Sequence, residues 1–327
     1  MANSSVIVAA QSAWDTPATT GWREIEVSSD GHKTRAKPMD YKGIRSATGA
    51  KTARNFRQVI EGGDGTIEVP GFSNGLGILL APFFDTAVSA LHSGGTLAHD
   101  QTFTWGPEGP PANKNITTVV RREQRTAGTL DDYKYPGGRG VQLDVTQDVD
   151  ANLLFKLVYD YRKPIRANLS SPSITQVEAD LIYNWADATI ELDGSAECVD
   201  SFNLSLPTGI DVTDKCIKQG DNRHTPMRKG TPEPTGTLKW KYDDPGYYDA
   251  FISGELMPLT ATWVGPVAIE SSTYPSLTIS LGAIRFTGED PEISVDEATM
   301  QNLPFEILDN EKDPVVQFVF VTSDAAL

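Results

Sequence analysis

The sequence predicts a mainly β protein, organised as two tandem β-sandwich or barrel domains, each with one short flanking α-helix and a long extended loop. Three observations carry this. The 327 residues include 28 Gly and 21 Pro, so turns are frequent and long helices are few. Thr, Val, Ile, Tyr and Trp recur in short alternating runs bounded by turn residues. The same succession of local patterns also appears twice, in the same order, at a length suited to two ordinary domains.

In chain order, the first half holds strand candidates at Val6–Ala10, Trp22–Val27, Gly65–Val69, Thr102–Trp105, Ile116–Arg121, Val141–Thr146 and Leu153–Tyr159. Between the third and fourth, Leu76, Leu79, Leu80 and Phe83 fall at helical spacing behind Ser73 or Asn74 as cap, which predicts a helix over about 74–84. The second half offers Ala188–Leu192, Ser201–Leu206, Gly236–Tyr242, Leu259–Val264, Ser276–Leu281, Ile293–Val295, Leu303–Leu308 and Val315–Val321, with a helix at about 246–252.

Three stations match between the halves. Gly65-Thr66-Ile67, followed by its helix, answers to Gly236-Thr237-Leu238. The run "TFTW" at 102–105 answers to "LTATW" at 259–263, and Leu153–Leu157 answers to Leu303–Ile307. The seam falls near "RKPIRANLSSPS", 162–173, which divides the chain into domains at 1–165 and 166–327. Ahead of each Gly-Thr strand lies a long polar segment, 33–63 and 208–235, and loops of that length without a core of their own are usually functional. They are expected to be arms that reach to other molecules.

The formal net charge of -16 opposes nucleic-acid binding through a basic footprint. The charge is segregated, however. Residues 33–57 gather Lys33, Arg35, Lys37, Lys42, Arg45, Lys51, Arg54 and Arg57, and the second loop adds Lys218, Arg223, Arg228 and Lys229. Against these stands an acidic stretch with Glu289, Asp290, Glu292, Asp296 and Glu297. Basic arms and an acidic face invite contact between copies of the chain, so charge reversal at Arg45, Lys51 and Arg54 is expected to weaken assembly.

Catalytic and metal chemistry finds no support. His32, His92, His99 and His224 lie in polar or Gly-containing segments without zinc spacing, and are expected to be exposed loop residues. Cys198 and Cys216 lack a CxxC context and are expected to be small, buried or half-buried residues. The aspartates of "KYDDPGYYD" read as turn and cap residues, and no phosphate loop or nucleophile elbow occurs. No catalytic, cofactor or metal site is therefore expected. The opening "MANSSVIVAAQSAWD" lacks a basic n-region, and no apolar run approaches the length of a membrane span. A reducing cytoplasm is the expected site of synthesis, without a membrane partner.

The Gly-Thr strand, turn, short helix, "TxTW" strand and closing "QNLPFEIL" together resemble the major tail tube proteins of long-tailed, siphovirus-like bacteriophages. "GTIEVPGFSNGLGILLAPFF" and "TMQNLPFEILDNEKDPVVQFVF" carry the resemblance most clearly. It implies a structural, non-enzymatic virion protein whose units close into rings of six around a continuous barrel. Rings stack into a tube for phage DNA, and a loop from each unit contacts its neighbours. With two units per chain it implies a trimeric, pseudo-sixfold ring, with a homohexamer as the alternative. It also implies the tape measure protein and the tail terminator or distal tail proteins as partners, and transient, non-specific contact with DNA in the lumen. Alternating positions such as Leu143–Thr146 or Ile293–Asp296 are lumen candidates. The rival readings are another virion component (terminator, baseplate or decoration protein), or a carbohydrate-binding adhesin using Trp14, Trp22, Trp105, Trp185, Trp240 or Trp263. Of these, Trp105 and Trp263 occupy matched strand positions and are expected to pack cores.

Overall fold

Alternation of buried and more exposed side chains along the strands at 201–207, 257–264, 276–286 and 316–322 stacks two sheets face to face, as the period of two requires. The computed structural model describes residues 5–40, 56–106, 108–123, 130–169, 173–177, 181–216, 223–241, 246–288 and 300–327. Its strands are β1 Ser5–Gln11, β2 Trp22–Ile25, β3 Ser29–Asp30, β4 Lys33–Asp40, β5 Phe56–Pro70, β6 Thr86–Leu91, β7 His99–Trp105, β8 Asn115–Glu123, β9 Leu130–Asp148 and β10 Leu154–Tyr161. There follow β11 Ile165–Arg166, β12 Ile174–Gln176, β13 Ala188–Leu192, β14 Ser195–Glu197, β15 Ser201–Pro207, β16 Thr235–Lys241, β17 Met257–Val264, β18 Ser276–Phe286, β19 Met300–Ile307 and β20 Val316–Thr322. The α-helices are α1 Gly77–Leu80 and α2 Gly246–Ser253.

One sheet runs β5–β10–β9–β15–β16–β19, with β3 and β4 both on the outer edge of β5. The other runs β6–β7–β20–β18–β17–β13–β14. At one corner the end of β18 leaves β20 and pairs with β19, so the sheets are continuous there. The first part of β9 bends away to join β8, β1, β2 and the short parallel strand β12 in a smaller third sheet.

Strands of the two sequence halves interleave. β9 takes β15 as a neighbour, and β20 inserts between β7 and β18. Their buried side chains form one cluster in which Phe84 and Phe103 of the first half pack on Phe318 and Phe320 of the second, with ring centroids 5.0–5.9 Å apart. Phe202 packs on Trp263, whose indole N–H donates to Gln147 Oε1 at 3.1 Å. The matched stations share a pairing: β5 lies antiparallel to β10, and β16 lies antiparallel to β19. The registers differ, since Gly65 faces Tyr159 while Gly236 faces Phe305.

The helix expected over 74–84 is shorter. α1 has one turn and continues as a 3-10 turn over Ala81–Phe83, where Pro82 lacks an amide hydrogen to donate. Asn74 does not cap it: its side-chain carbonyl accepts from the hydroxyls of Thr322 and Ser323. α2 falls where expected, with Tyr247 edge-on against Trp240 at 4.9 Å. The strand candidate Ile293–Val295 lies outside the described residues.

Candidate assembly site

The segment 33–63, expected as a loop, is a hairpin wherever it is described. Lys33 faces Asp64 and Asp40 faces Phe56, so β4 and β5 satisfy each other's backbone groups without a core of their own. A bulge interrupts the ladder, for Arg35 faces Gly62 while Ala36 faces Ile60, leaving Glu61 as the extra residue. β10 covers the far edge of β5 only from Gly63 to Pro70. Residues 56–62 and 35–40 therefore project past β10 as a two-stranded ribbon. Lys37 and Met39 are exposed on it and Lys33 is exposed at its base, while Val59 and Ile60 are half-buried.

The base of this arm is fixed by buried polar groups. His32 is enclosed, contrary to the exposed position expected for it. Its Nδ1 is hydrogen-bonded to Asp30, and its Nε2 lies 2.9 Å from the Tyr161 hydroxyl, which is also 2.9 Å from Thr118 Oγ1. Burial raises the Asp30 carboxyl, but the hydrogen bond and charge of His32, with help from Arg122, hold it below its ordinary value. Burial, with smaller help from Asp30, Tyr135 and Asp160 and against the hydrogen bond to Thr118, pushes the Tyr161 phenol far above its ordinary range, so it stays protonated.

Beside this network, Asp160 binds two arginines. Arg223 Nη2 donates to it at 2.5 Å, Nη1 donates to the Tyr161 carbonyl at 2.8 Å, and Arg35 bridges Asp160 to Asp64. Burial raises the Asp160 carboxyl, while Arg223 and then Arg35 act in the opposite direction. Gly62 makes the approach possible. Its φ of +149° disfavours any side chain, and a Cβ there would lie 2.7 Å from Arg223 Nη1. Lys215 adds a 2.8 Å ion pair to Glu61 at the bulge.

The described parts of the second loop, 208–216 and 223–235, thus fold back onto the chain. Arg223 is buried, and Arg228 donates to the carbonyls of Thr208 and Gly106 while stacking 5.0 Å over the Trp105 ring. Both arginines, expected on a reaching arm, are internal anchors because buried carbonyls and a carboxylate claim their donors. Lys229 is exposed, paired with Asp211 at 3.2 Å. Sequence reasoning missed His32, Tyr161 and Asp160 as the anchor, since nothing local links residues about 130 positions apart.

Lys42, Arg45, Lys51, Arg54, Lys218, Glu289, Asp290, Glu292, Asp296 and Glu297 lie outside the described residues, as does the side chain of Arg57. Among the lumen candidates, Leu143 and Val145 are buried, leaving Asp144 and Thr146 part-exposed. Trp14, Trp22, Trp105, Trp240 and Trp263 are all buried, and Trp185 alone is exposed, so they form no stacking platform. Cys198 is exposed, where a buried or half-buried position was expected. Among the described residues, no cluster of His, Cys, Asp and Glu could hold a metal ion, and no helix is long and apolar enough to cross a membrane.

A search of curated proteins gives no match. A family model described as phage tail tube protein matches residues 1–307.

Proposed function

The chain belongs to the phage tail tube protein family and is a structural protein of the phage tail; from this premise we propose that it is the major tail tube subunit, closing into rings that stack into a hollow conduit for DNA. The observation that supports this most directly is the ribbon of β4 and β5, anchored at its base and extended past the sheet with no strand on its outer edges among the described residues. An isolated two-stranded ribbon is marginal in water, so its natural completion is a neighbouring molecule. The two sequence units, 1–165 and 166–327, act as two of six quasi-equivalent units, giving three chains per ring.

The net acidic surface suits such a channel, because it repels phosphates and lets the polymer slide. The tape measure protein and the terminator or distal tail proteins are the partners within and at the ends of the tube. Synthesis in the host cytoplasm precedes assembly into the virion.

Negative-stain microscopy of the purified chain, with solution mass measured on the same sample, tests the proposal. Annular particles or hollow tubes with three chains per ring are expected. Six chains per ring would keep the tube and remove the pseudo-sixfold arrangement. Compact particles with no ring at any concentration would remove the tube.

A further inference from the structure

At the end of the sandwich opposite the arm, a cavity of about 380 Å³ opens between the end of β9, the approach to β13 and the β14–β15 connection. Phe202 and Ile190 line it from the core, with Val199 half-buried beside them. Nearer solvent, Val149 is 45% exposed and Trp185 is 47% exposed. Asp148, Glu197 and Asp200 also line the cavity, with no lysine or arginine among its lining residues, while exposed Lys239 pairs with Ser201 on the neighbouring strand.

Trp185 stands there by construction. It starts a 3-10 turn capped by Asn184, whose side chain accepts from Ala186 N at 2.8 Å, while the Asp187 carboxyl accepts from Asn184 N at 3.1 Å. Its own amide donates to the Ala151 carbonyl at 3.1 Å. A large indole is thus fixed at a half-open site, the form of anchor that dominates protein interfaces.

The positions of pocket and arm are reciprocal. β10 begins at Leu154 beside Thr146, next to the pocket residue Gln147, and ends at Tyr161 beside Gly63, where the arm departs. Eight residues of strand separate the two sites by roughly 25 Å. The arm brings exposed Lys33 and Lys37 with Met39, Val59 and Ile60, and the pocket brings carboxylates around apolar walls. Opposite charge and matching apolar character lie at opposite ends of one molecule. A contact between unlike ends cannot close on itself within a pair of molecules, so it propagates as a stack.

We infer that this pocket receives the β4–β5 arm of a second copy of the chain in the adjoining ring. The inference rests on the tube reading and adds to it an acceptor: residues 148–149, 185–190 and 197–202, distinct from the acidic stretch 289–297 expected from sequence.

Cys198 lines the pocket and is exposed, so it serves as the reporter. The wild-type chain would be alkylated with N-ethylmaleimide as unassembled subunit and as stacked polymer, with modification at Cys198 and Cys216 quantified separately by peptide mass. Stacking is expected to slow Cys198 by about tenfold or more, as for a site covered at least nine parts in ten of the time. The double substitution Lys33→Glu with Lys37→Glu is expected to form rings that do not stack and whose Cys198 stays reactive. Adding Asp148→Lys with Glu197→Lys should restore both stacking and protection, as a charge swap across one interface does.

Stacked wild-type polymer whose Cys198 reacts as fast as in the subunit would overturn the inference. So would an arm variant that stacks normally, or one whose defect the pocket substitutions leave unrepaired. These outcomes leave the tube standing, whereas a wild-type chain that never forms rings removes the tube and the acceptor with it.

Discussion

Asp160 shows how one side chain can tie distant segments together. It is buried with two guanidiniums, one from the arm and one from the second loop. Removing Arg223 leaves a carboxylate enclosed with only the part-exposed Arg35, so Arg223→Ala is expected to destabilise the chain by about 3 kcal/mol, the lower end for breaking a buried pair. Denaturant unfolding measures this directly. Asp160→Asn in the same background should recover part of the loss, because the uncompensated charge goes with it. Gly62→Ala is expected to cost about 1–3 kcal/mol, from a strained φ together with the collision at Arg223. A wild-type stability for Gly62→Ala would mean the bulge relaxes. None of this was legible beforehand. The sequence displays basic residues at 223 and 228, but only the fold reveals that they face inward.

At the scale of elements, legibility followed periodicity. The strands at 201–207 and 316–322 alternate strictly between buried and part-exposed, as that at 257–264 does from Leu259 to Trp263, and the sequence marks all three. β4 and the outer part of β5 do not alternate between apolar and polar residues, because neither face of the ribbon packs on the core, and so they read as loop. The connection between β6 and β7 was equally silent. There Glu270, from the β17–β18 loop, accepts the amides of Thr96, Leu97 and Ala98 and the Thr96 hydroxyl, and these amides hold its carboxyl down at about 2. A depressed carboxyl supports the native loop fully above its unfolded value near 4.5 and loses that support as pH falls towards 2. Hydrogen exchange should therefore find the Thr96–Ala98 amides protected at pH 6 and progressively open below about 4. Glu270→Gln should show the open behaviour at every pH, and equal protection in both proteins would remove the staple.

For the whole molecule, the division near 165 read from sequence is a division of pattern, while the sheets ignore it. The repeated stations recur with the same strand pairing, yet β15 completes the sheet of β9 and β20 completes the sheet of β7. Domains with separate cores would melt separately. A shared core predicts one calorimetric transition with matching calorimetric and van't Hoff enthalpies, and two resolved transitions would contradict it. Residues 1–165 expressed alone should fail to give dispersed amide resonances, since β7 and β9 would each lose a neighbour. Sequence could expose the repetition because it lies in local order. It could not expose the interleaving, because pairing between strands far apart leaves no local trace.

The slot between β7 and β18 has a consequence for synthesis. β7 ends at Trp105, and the strand that fills the slot begins at Val316. At ordinary elongation rates roughly ten to forty seconds pass on the ribosome between the two, during which one edge of the earlier hairpin stays bare. Its hydroxyl-rich strands, Thr86–Leu91 and His99–Trp105, bridge that interval without a long apolar edge to recruit other nascent chains. A translation product cut short before 316 would carry two open edges in one sheet, and could not pass for a finished subunit.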